Sequence, residues 1–110
     1  MSSHRDWIGV DLDGTLAHYD KWAGGLIGEP VPAMVERVKG WLAEGKTVKI
    51  FTARAEDPLN IPGIQEWLLA HLGVLLPVTN VKDKRMVELW DDVAVRVIKN
   101  TGVVDNNYCD

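Results

Sequence analysis

Short apolar runs that end in polar residues alternate along this chain with stretches of helical period. Trp7-Ile8-Gly9-Val10 is almost continuously apolar and runs into turn chemistry at Asp13-Gly14, which predicts a fully buried strand over residues 7–11. Residues 16–30, with Gly24, Gly25, Gly28 and Pro30, keep no period and read as a flap loop. From Pro32 to Ala43 the apolar positions Met34, Val35, Val38, Trp41 and Leu42 recur at helical spacing, and Gly45 stands where such a helix would stop. Thr47 to Phe51 is β-branched and apolar enough for a second strand. A second helix is predicted from near Ile61 to about Leu72, with Ile64, Trp67, Leu68 and Leu72 inward and Gly73 as its stop. Short strands follow near 76–79, at 86–90 and at 94–98, and Asn100-Thr101-Gly102 turns the chain into a tail from about 103 to 110.

Strands alternating with helices predict an α/β fold with a mainly parallel sheet of about five strands. Covered on both faces, it would be a Rossmann-like three-layer α/β/α sandwich. Such sheets bind ligands outside the carboxyl ends of their strands, where this pattern puts Asp11, Asp13, Thr52, Lys82, Asp91 and Asp92. The 110 residues suit a single domain spanning 1–110.

Composition narrows the classes. No apolar stretch approaches the roughly 20 residues of a membrane span, and Met1 to Asp6 lacks the apolar core of a secretory signal, so a cytoplasmic protein is expected. The single cysteine, Cys109, has no second thiol to pair with. A net charge of −4 argues against a general nucleic-acid binder. No two histidines have metal-ligand spacing.

The chemistry starts at Asp11 and Asp13. Two carboxylates one residue apart at a strand end repel unless a positive group sits between them, and a divalent cation is the simplest such group. Each candidate has an ordinary reading when taken singly. Asp-Gly is common in turns, Thr52 could cap a helix, Lys82 lies in a polar run with Lys84 and Arg85, and Asp91-Asp92 could be a solvated turn. Four strand ends carrying polar groups in this order are much harder to dismiss.

Asp11-Leu12-Asp13-Gly14-Thr15, Thr52 after an apolar strand, Lys82, and the pair Asp91-Asp92 together resemble the four ordered motifs of the haloacid dehalogenase superfamily, over nearly the whole chain. The resemblance implies that Asp11 is a nucleophile forming an aspartyl phosphate and that Asp13 is the general acid and then the base. It implies that Thr52 and Lys82, with Lys84 as the alternative, hold the phosphate. Magnesium would be held by Asp11, the backbone carbonyl of Asp13, and Asp91 and Asp92, one of that pair directly and the other through water or by orienting Lys82. Such a division of labour is sound in itself: phosphoryl transfer depends on positioning and electrostatic stabilisation, and magnesium favours a few carboxylates plus waters and a phosphate.

Most relatives in that superfamily insert a cap domain, and the intervals here leave no room for one, so a capless protein is expected. The 16–30 flap or a neighbouring subunit of a homo-oligomer would then cover the open site. His18, Tyr19, Trp22 and Arg54 become candidate substrate contacts. Val93-Ala94-Val95 stands where close capless relatives often carry an arginine. The expected activity is phosphomonoester hydrolysis on a small phosphorylated metabolite such as a sugar phosphate or nucleotide. The alternatives are a polynucleotide 3′-phosphatase and a low-turnover module that binds a phosphorylated ligand. A phosphomutase is disfavoured because such enzymes use a cap to exclude water.

Overall fold

The computed structural model describes residues 6–21 and 24–105. Trp22 and Cys109 lie outside them. The elements are β1 (Trp7–Val10), α1 (Pro32–Ala43), β2 (Thr47–Phe51), α2 (Ile61–Leu72), β3 (Val78–Thr79) and β4 (Met86–Trp90). Two 3-10 turns, Ala53–Glu56 and Pro58–Asn60, link β2 to α2. Both helices match the predicted spans, and each carries proline in its first turn, where a missing N–H costs nothing.

Among the described residues the sheet has four strands in the order β3-β2-β1-β4, and every pair is parallel. The expectation of about five strands is therefore corrected. Residues 94–98 have the composition of a strand, but Asn100 takes a left-handed φ of 68° and the chain reverses there. Ile98 N–H donates to the Val103 carbonyl and Val97 bridges Val104, so the segment pairs with its own continuation and not with the sheet. Two boundaries also tighten: β1 ends at Val10 and β3 begins at Val78.

The three-layer expectation is corrected too. The steps from β1 to β2 and from β2 to β3 move the same way across the sheet, and right-handed crossovers then put both connecting helices on one face. That face carries one buried cluster in which Ile8, Val10, Val48 and Ile50 meet Val35 and Val38 of α1 and Ile64, Trp67, Leu68 and Leu72 of α2. At its margin Trp90 packs on Trp41 with ring centres 5.2 Å apart.

On the opposite face stand Trp7, Gly9, Lys49 and Phe51. No helix among the described residues covers it, because the link from β3 back across to β4 is only the loop 80–85. That loop is pinned where it passes. The Trp7 indole N–H donates to Asp83 Oδ1 at 2.8 Å, and Trp7 N–H donates to the Arg85 carbonyl at 2.8 Å. The indole bond and then the Arg85 amide hold the Asp83 carboxyl below its ordinary value. No helix in the described residues is long and apolar enough to cross a membrane.

Candidate functional site

The order of the strands builds the site. Chain order reverses between β1 and β4, and the crevice at such a reversal is where parallel sheets bind ligands. Val10 lies opposite Trp90, and the next amide, Asp11 N–H, donates to the Trp90 carbonyl at 2.9 Å. Side-by-side strand ends thus bring Asp11 against Asp91 and Asp92 from 80 residues away. One carboxylate oxygen from each of the three lies within 4.8 Å of the others.

Beyond Asp11 the chain doubles back so tightly that the Leu12 carbonyl accepts from Thr15, Leu16 and Ala17. Gly14 makes this turn at φ 90°. A Cβ on Gly14 would lie 2.6 Å from Asp92 Oδ2, so the missing side chain is the space into which Asp92 folds. Thr15 Oγ1 donates to Asp11 Oδ2 at 3.3 Å, and Asp91 Oδ1 accepts from Val93 N–H at 2.7 Å.

The electrostatics follow from this crowding. Partial burial, then a hydrogen bond shared with Asp92 and the charges of Asp91 and Asp92, push the Asp11 carboxyl up to about 7, and only the Thr15 hydroxyl pulls the other way. Three hard oxygen donors with surplus negative charge fit a small divalent cation, which would relieve the repulsion that raises Asp11. Asp11, Asp91 and Asp92 would supply its protein ligands, and the Asp13 carbonyl belongs to the same turn.

Asp13 has a different partner. Arg54 Nε and Nη2 donate to its two oxygens at 2.7 and 2.9 Å, a bidentate pair, while Nη1 donates to the Gly25 carbonyl at 2.6 Å. The bond to Asp13 holds the guanidinium above its ordinary value, against the opposing effect of burial. Arg54 reaches this position because Thr52, 3% exposed, caps the first 3-10 turn by accepting the Arg54 amide at 3.2 Å. The Thr52 hydroxyl keeps its own proton to donate elsewhere.

The 16–30 segment is better tied down than a free flap. Its neck closes through an Ala17–Pro30 bridge and the His18 N–H bond to the Glu29 carbonyl, and Trp67 Nε1 holds the Gly28 carbonyl at 2.9 Å. Its Gly25 end touches Arg54 and so lies one residue from Asp13. His18 and Tyr19 are exposed on the loop. Arg54→Lys, which keeps the charge and loses the fork, is expected to release Gly25–Ile27. Hydrogen exchange of those amides should rise several-fold while that of β1 is unchanged.

Lys82 and Lys84 are exposed, and neither forms an ion pair with Asp11, Asp13, Asp91 or Asp92. They differ in place. Lys84 lies between Asp83 and Arg85, both bonded to Trp7 at the amino end of β1, roughly 13 Å of strand from Asp11. Lys82 follows the carboxyl end of β3, two strands from β1, or about 10 Å. Two functional contacts come only from the structure: the Thr15 hydroxyl on the first carboxylate, and the bond to Asp13 that occupies Arg54, expected from the sequence as a substrate contact. Thr15 sits four residues past Asp11 in a turn-forming segment, a spacing that brings it back against that carboxylate.

No family model matches the chain, and no curated protein matches it. Among solved structures it is similar to a conserved protein of Bacteroides thetaiotaomicron, at 21% identity over 94% of this chain and 84% of that one, with a TM-score of 0.62. A likeness at that identity concerns the fold, an α/β domain with helices and a four-stranded parallel sheet.

Proposed function

We propose that this chain is a magnesium-dependent phosphohydrolase of the haloacid dehalogenase type, without a cap, acting on phosphomonoesters through Asp11. The observation that supports this reading best is the convergence of Asp11, Asp91 and Asp92 within 4.8 Å at the switch point of a parallel sheet, with Asp13 one turn away. Magnesium there would neutralise the acidic cluster and the substrate phosphate, leaving Asp11 ionised.

In the first step an Asp11 carboxylate oxygen bonds to phosphorus as the ester P–O bond breaks, and the departing oxygen takes the proton carried by Asp13. In the second, water attacks phosphorus and gives its proton to Asp13, and the bond from phosphorus to Asp11 breaks to release inorganic phosphate. The Thr52 hydroxyl donates to a phosphate oxygen. Lys82, from the end of β3, is the cation for the same phosphate in preference to Lys84.

The test is phosphate release from a panel of phosphomonoesters that includes a 3′-phosphorylated oligonucleotide. Turnover with magnesium that vanishes with EDTA is expected. A rate equal to the uncatalysed background on every member overturns the reading. One observation favours a second reading, a module that binds a phosphorylated ligand with little turnover: Arg54 engages both oxygens of Asp13 and must free one before it can carry a proton. Magnesium-dependent binding of a phosphomonoester, seen by calorimetry with no product after prolonged incubation, would select it.

A further inference from the structure

Arg54 faces two ways. Beyond its bond to Asp13 it lines a groove of about 570 Å³ between the 25–27 segment and one side of α2. From Asn60 to His71 this helical wall extends roughly 16 Å, much longer than a phosphate needs, and the volume is that of a small-molecule site. Two residues keep the wall open. Ala70 is small, and a Cβ on Gly63 would meet nothing within 4 Å.

The lining has a clear chemical bias. Leu26 and Leu59, 75% and 85% exposed, stand at the rim with their apolar surface in water, where a bound organic group would cover it. The one arginine or lysine among the lining residues is Arg54, already paired with Asp13, and Glu66 adds a carboxylate. Among the described lining residues the one other basic group is His71, whose ring lies against Trp67 with centres 4.7 Å apart. A second phosphate placed in this groove would meet no lysine and no unpaired arginine there and would face Glu66.

We infer that the groove holds the leaving group of the substrate, and that this group is uncharged and partly apolar. The substrate class is then a monoester with one phosphate on a ring-bearing alcohol or phenol, and bisphosphates and oligonucleotides are selected against. The inference rests on the phosphohydrolase reading and names the substrate side of that same site.

The experiment compares 1-naphthyl phosphate, fructose 1,6-bisphosphate and acetyl phosphate, whose leaving group is too small to fill the groove. On the wild type, kcat/KM is expected to be at least tenfold higher for 1-naphthyl phosphate than for the bisphosphate. Gly63→Leu fills the groove, and the ratio of kcat/KM for 1-naphthyl phosphate to that for acetyl phosphate should fall at least tenfold, chiefly through KM. Glu66→Lys should raise kcat/KM for the bisphosphate several-fold relative to 1-naphthyl phosphate.

Turnover of acetyl phosphate with both ratios unmoved by the variants, or a wild type that prefers the bisphosphate, overturns the inference and leaves the phosphohydrolase reading standing. No turnover of any of the three with magnesium overturns both.

Discussion

Replacing Asp11 with asparagine is expected to abolish phosphate release while making the protein more stable. The loss should be at least about 10³-fold in kcat, because an amide cannot form the aspartyl phosphate. The gain follows from the raised pKa of Asp11. In the folded protein the group binds a proton up to about pH 7, whereas in the unfolded chain it releases it near pH 4. The folded state therefore holds more protons across that window, and metal-free stability falls as pH rises from about 4 through about 7 and is level above.

Asp11 is only half buried, so solvent screening cuts the effect to about 1–2 kcal/mol, or several degrees in Tm for a domain of this size. The asparagine variant should melt higher than wild type at pH 8 and by much less at pH 5. Magnesium should raise the wild-type Tm most at pH 8 and barely move the variant. Thermal melts at the two pH values, with and without magnesium, check all of this. A wild type whose Tm does not fall between pH 5 and 8 in EDTA would count against a crowded acidic site.

The second large effect is expected at Gly14. Gly14→Ala forces a side chain into φ 90° and brings its Cβ to 2.6 Å from Asp92 Oδ2, so either the turn or Asp92 must move. A cost of about 2 kcal/mol in chemical denaturation is expected. The displaced carboxylate should also weaken the stabilisation by magnesium. Gly40→Ala makes a sharp contrast, since its Cβ would meet nothing within 4 Å inside α1 and helix propensity alone should stabilise the chain by about 0.5–1 kcal/mol. If the two alanines cost the same, the close packing of Asp92 over Gly14 is wrong.

Local pattern carried most of the elements. Each helix has an apolar stripe, one proline in its first turn and a glycine just beyond its end, and all of these act within a few residues. The segment 94–98 misled because alternation of apolar and polar residues states what a strand would bury but not whether a sheet edge is there to receive it. Val93, Val95, Val97 and Ile98 accordingly stay exposed. The expected second helical layer failed for a related reason. Its absence depends on the direction in which successive crossovers step across the sheet, which is set by strand order.

For the candidate site, residue type and place at a strand end were readable in the chain: Asp11, Asp13, Thr52, Asp91 and Asp92 all stand where an apolar run stops. Their partners were not. The pairing of β1 with β4 joined Asp11 to Asp91 and Asp92, and the 3-10 turn after Thr52 turned Arg54 onto Asp13 and the Gly25 carbonyl. The loop bonds around Trp7 separated Lys82 from Lys84. Apolar periodicity and turn residues are properties of neighbours in the chain and are written there directly. Which carboxylates crowd together, which of them an arginine clamps, and where a groove opens are set by contacts across tens of residues, and those exist only once the strands have taken their order in the sheet.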